Sequence, residues 1–172
     1  MKKILFILLF IPTLLSAQTE VSVMGVPISL PAKQFVREWA AENNYELAEN
    51  QIEWLNNEFR STEEAEIYSF GAIVEFAGIS GCHFEVYSNL DESINRIKVT
   101  NDVWNERRNM LPLKDAFDSR YGAPTSSQVN WEDVTYVYMV GSTRIEFKLF
   151  FKDNRHPELP SRLSITYTPN TI

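Results

Sequence analysis

The residues of this 172-residue chain best suited to chemistry are three glutamates (Glu75, Glu85, Glu146), two histidines (His83, His156) and one cysteine, Cys82. Two carboxylates across a cleft make a general acid and its partner, the pair that glycosidases use. A glycan-directed hydrolase is therefore one functional reading. A nucleophile–histidine–acid set needs a presented serine or cysteine, and the sequence holds no G-x-S-x-G turn. Cys82 and His83 are neighbours, but neighbours on a strand point to opposite faces and cannot pair. Asp153-Asn154 with His156 and Glu158 offers oxygen and nitrogen ligands on a loop, without the regular spacing of a metal site. No metal or cofactor is expected, and no residue is assigned a catalytic role.

What positions these residues is a pattern of two helical stripes, each followed by alternating strands. Ala32, Phe35, Val36, Trp39 and Ala40 recur at helical spacing and predict an amphipathic helix over 31–44. Leu113, Phe117 and Tyr121 predict a second over 105–121, stopped by Gly122 and Pro124. Strands are predicted at 68–76, 82–88 and 94–100 after the first helix, and at 128–131, 135–140, 144–151 and 162–168 after the second. Residues 46–66, polar and acid-rich around Ile52, Leu55 and Phe59, are expected to hold a short extra helix or irregular chain.

The halves align: Phe84-Glu85-Val86-Tyr87 with Ile145-Glu146-Phe147-Lys148, and 95–99 with 161–165. The expectation is an α+β protein of two tandem helix-plus-antiparallel-strand repeats, about 22–102 and 103–172, with helices on one face of one sheet. Cys82, Phe84, Val86, Ile97, Val99, Ile145, Phe147, Leu163 and Ile165 then face the core. Glu75, His83, Glu85, Tyr87, Arg96, Lys98, Arg144, Glu146, Lys148 and Arg162 face the opposite, open side. The alternating charges there read as cross-strand ion pairs. Tyr87, one of Tyr136 and Tyr138, and Trp131 are placed on or beside this face, where aromatics ringed by charge resemble an interface. Trp39, Trp54 and Trp104 are assigned to helix-side packing.

The chain opens with Met1-Lys2-Lys3, an apolar run over 4–15 and Ser16-Ala17, the three parts of a secretory signal peptide. A spanning helix needs roughly 20 apolar residues, and Pro12 interrupts this run. Cleavage after Ala17 leaves a single domain over 18–172 and removes Lys2 and Lys3, which turns the net charge of −7 into −9. The protein is thus expected in the periplasm or outside the cell, soluble, and not a lipoprotein because Cys82 is far from the cut. Its acidity argues against nucleic acid as a partner. A protein or an envelope or extracellular ligand fits better. A lone cysteine makes no internal disulfide and is expected to be buried.

Three pieces carry a resemblance. They are Gly25-Val26-Pro27-Ile28 ahead of a helix with Phe35, Phe76-Ala77-Gly78-Ile79-Ser80-Gly81-Cys82 leading to Val86-Tyr87-Ser88, and Trp104 with Leu113-Lys114 and Arg120-Tyr121-Gly122-Ala123-Pro124. Together they resemble small exported bacterial proteins of unknown function with a β-lactamase-inhibitor-protein-like fold. The resemblance implies two repeats building one curved sheet whose concave side grips a partner. The disulfides of the inhibitor itself have no counterpart in a chain with one cysteine. Three functional readings follow: a non-catalytic binding domain using the open face, the glycan hydrolase, and an envelope or assembly component that dimerises through that face.

Overall fold

Apolar residues at helical spacing become helices in the computed structural model, which describes residues 20–56, 67–152 and 155–169. The proposed signal segment lies outside the described residues, as do residues 57–66. A two-stranded hairpin, β1 (Ser22–Val23) and β2 (Val26–Pro27), precedes helix α1 (Ala32–Glu42). Its turn places Met24 and Gly25 at φ 50° and 92°, values that glycine adopts without cost. Helix α2 (Glu49–Asn56) is the short helix expected within 46–66. Then come β3 (Ile67–Phe76), β4 (Ile79–Ser88) and β5 (Ile94–Asn101). A 3₁₀ turn over Trp104–Glu106 leads into α3 (Arg107–Tyr121), followed by β6 (Ser126–Val129), β7 (Asp133–Val140), β8 (Thr143–Phe150) and β9 (Arg162–Pro169). Gly122 ends α3 at φ 81°, its N–H bonded to Asp118 O at 2.9 Å. No described helix is long and apolar enough to cross a membrane.

Seven strands form one antiparallel sheet in the order β3-β4-β5-β9-β8-β7-β6, so the last strand inserts beside β5 at the centre. α1 and α3 pack on the same face of it. Their shared footing is a row of four cross-strand partners: Phe84 pairs with Val99, Val99 with Ile165, and Ile165 with Phe147. All four are fully buried. Trp39 of α1 stacks on Phe84 at 4.9 Å between ring centroids, and Phe117 of α3 meets Phe147 at 5.0 Å. Trp39 also donates its indole N–H to Met24 Sδ at 3.3 Å, which fastens the first hairpin to the helix. The ladders thus set Phe84 against Val99 and Phe147 against Ile165.

Helix α3 is secured at both ends. Arg107, 2% exposed, donates from Nε to Pro160 O at 2.6 Å and from Nη2 to Leu159 O at 2.7 Å. These bonds satisfy a buried cation, which is costly to leave unmade, and hold the proline-bearing loop against α3. At the far end Arg120 Nη2 reaches Ser22 Oγ at 2.8 Å, joining α3 to β1.

The row's burial sets the size of its contribution. Phe84→Ala or Phe147→Ala is expected to destabilise the fold by about 3–5 kcal/mol each. Urea unfolding followed by circular dichroism measures both. A loss below 1 kcal/mol at either site contradicts the row's central place.

Candidate functional site

The open face is laid out by the same alternation that buries the row. Across the sheet, Glu85 pairs with Lys98, Lys98 with Thr166, and Thr166 with Glu146. The neighbouring row runs His83, Thr100, Ser164, Lys148. A third places Tyr87 opposite Arg96, and Arg144 opposite Thr168. All the strand residues predicted to face outward do so, and their side chains are half-buried or exposed. The middle of the face is thus a strip of hydroxyls with Lys98 in it, flanked by charge on both sides.

Most of the charges are answered locally. Glu85 lies 3.9 Å from Lys98 Nζ, Glu146 2.6 Å from Arg144 Nη2, and Asp133 3.2 Å from Lys148 Nζ. The Arg96 guanidinium sits 4.4 Å above the Tyr87 ring, while Lys148 and Arg162 lie 4.9 and 5.6 Å from the Phe150 ring. Such partly solvated surface pairs contribute about 0–1 kcal/mol each, so they can be exchanged for a partner's groups at small cost. Gly71 carries no side chain opposite Glu85, and there a depression of 460 Å³ opens, lined also by Ile73 and His83.

The paired-carboxylate reading finds no geometry on this face. Glu85 and Glu146 stand three strands apart, roughly 14 Å at the usual strand spacing, with Lys98 and Thr166 between them. Glu75 is four residues beyond Gly71, the partner of Glu85, again roughly 13 Å away. Glycosidase carboxylates are about 5–9.5 Å apart. A general acid also needs a carboxyl raised in pKa. Asp91, Asp118 and Glu158 are instead held below the usual range, chiefly by hydrogen bonds from the Ser93 hydroxyl, the Lys114 ammonium and a backbone N–H respectively.

Cys82 is buried, and its thiol is pushed up by desolvation. Its Sγ donates to Ile79 O at 3.3 Å, and His83 points to the other face. It is a packing residue and a poor nucleophile. Among the described residues no group of three or more His, Cys, Asp or Glu could hold a metal. Of the suggested loop ligands, Asp153 and Asn154 lie outside those residues, and His156 Nδ1 is 3.4 Å from Glu158.

Two aromatic assignments are corrected. Tyr136 and Tyr138 lie on the helix side, because they pair directly with Phe147 and Ile145 and cross-strand partners share a face. Tyr138 is buried and donates its hydroxyl to Asp118 Oδ1 at 2.9 Å; Lys114 also bonds Asp118 and covers the Tyr136 ring at 4.6 Å. Burial, then the Asp118 charge, pushes the Tyr138 hydroxyl far up. Trp131 is no strand residue: Asn130 N–H bonds Asp133 O at 2.8 Å, leaving Trp131 and Glu132 as a two-residue turn. Its flanking Asn and Asp are the missed turn signal. Trp39 packs as assigned; the side chains of Trp54 and Trp104 lie outside those described.

Comparison of the chain with models of protein families, with curated proteins and with solved structures finds no match.

Asp118 yields a pH dependence. Its folded pKa is lowered, so its contribution is present above the unfolded value near 3.8 and is lost as pH falls through the lowered one. Asp118→Asn is therefore expected to lower stability at pH 7 and to lie closer to the wild type at pH 2.5. Urea midpoints at the two pH values check this, and an unchanged gap refutes it.

Proposed function

We propose that this protein is a non-catalytic, exported binding domain that takes its partner on the open face of the sheet. One observation carries the reading: the face of the sheet opposite α1 and α3 carries hydroxyl side chains at its centre, bordered by exchangeable ion pairs. Such a face recognises a polar, mixed-charge surface, which a protein or an envelope ligand provides. The resemblance to β-lactamase-inhibitor-like exported proteins points the same way, and so does the signal-like start of the chain.

We further propose that the domain arose by duplication of one helix-plus-strands unit. A shift of 66 residues maps 95–99 onto 161–165, and under it Val99 falls on Ile165, its own register partner. The dyad relating the halves then passes through that pair. Trp39 on Phe84 corresponds to Phe117 on Phe147, and Arg96 with Tyr87 corresponds to Arg162 with Phe150.

The test reverses charge on the face. Glu85→Lys with Glu146→Lys is expected to keep the far-UV spectrum within error and to remove one specific species from those retained by the immobilised mature protein. Quantitative mass spectrometry of the eluates reads the result. Retention of the same species by both forms refutes the reading.

A further inference from the structure

The two edges of the sheet are treated differently. At the β3 edge the ladder is broken by irregularities between Tyr68 and Phe70 and between Val74 and Phe76, and Gln51 of α2 caps Gly71 O at 3.3 Å. Bulges and covering elements of this kind are how proteins keep an edge from pairing. At the β6 edge the register with β7 is unbroken from Ser126 to Val129, and all four residues are exposed. Val129 is 74% and Trp131 90% exposed. From Gly122 to Trp131 the chain carries no charged residue, although 23% of all residues are charged. Lysine, the usual edge guard, is missing, and so is any inward charge.

From this contrast we infer that the β6 edge is a self-association surface, where a second copy of the chain adds its own β6 antiparallel to form one continuous sheet. The closing bond from Asn130 to Asp133 fixes which backbone groups are free. Ser126 and Gln128 turn their N–H and C=O toward β7, so Ser127 and Val129 present theirs outward. A symmetric pairing that uses them sets Ser127 of one copy opposite Val129 of the other and puts Gln128 on the dyad. A second copy fits better than a charged peptide because the strip is neutral: two copies of an acidic protein, net charge −7, meet there without opposing like charges. The open face stays uncovered, so this surface is independent of the binding reading.

Sedimentation velocity over a concentration series, together with cysteine crosslinking, tests it. The wild type is expected to shift from monomer to dimer as concentration rises. Val129→Pro removes an N–H that the monomer does not use, and Gln128→Lys sets two like charges opposite each other. Each is expected to weaken association by roughly tenfold or more while leaving the melting curve in place; should the proline variant melt early, the lysine variant alone decides. Gln128→Cys brings two Cα atoms to about 4.5 Å in a non-hydrogen-bonded pair, within disulfide range, and is expected to crosslink quickly on mild oxidation. Trp131→Cys, roughly 20 Å from its copy in this register, crosslinks slowly. A wild type that stays monomeric throughout overturns the inference, as does a dimer indifferent to Gln128→Lys or equal crosslinking at 128 and 131.

Discussion

The row Phe84, Val99, Ile165 and Phe147 is the interaction on which the rest of the molecule depends. It draws two residues from each half of the chain and runs across the centre of the sheet, and each of its ends carries a helix. Burying four such side chains contributes several kcal/mol, a large share of what a domain of this size retains after chain entropy. Neither half has this core alone. Val99 without Ile165 would be an apolar edge, and Phe147 without Val99 and its neighbours would lack one side of its packing.

That constraint also writes the other face. Side chains alternate with a period of two, so fixing Phe84 and Val99 inward fixes Glu85 and Lys98 outward, and the same holds for Ile165 with Thr166 and Phe147 with Glu146. The polar face is therefore rigidly spaced, with its groups held on central strands. Its surface pairs add little to stability, which separates the two jobs of the sheet. One face supplies the folding energy, and the other is at liberty to be chosen for recognition.

Local periodicity made much of this legible. Helices α1 and α3 and strands β4, β5, β8 and β9 follow from spacing, and the outward residues follow from the strands. Tyr136 and Tyr138 looked like surface aromatics because nothing near them in sequence announces Asp118 and Lys114 as their polar partners. The burial of Arg107 depends on carbonyls from Leu159 and Pro160, far along the chain. The juxtaposition of β5 and β9 likewise has no local signal. Apart from the local turn at Trp131, the features that escaped reading are those made by long-range contacts.

The central position of β9 has a kinetic consequence. As the last strand in chain order it must slot between β5 and β8, two strands formed from earlier sequence. Until it arrives, both expose an unpaired apolar edge and the row across the sheet is open. Closing a pairing so distant in sequence costs loop entropy before any contact rewards it. A chain made N-terminus first would therefore remain incompletely folded until β9 is released, and a copy ending before Arg162 would present two adhesive edges in place of none at its centre.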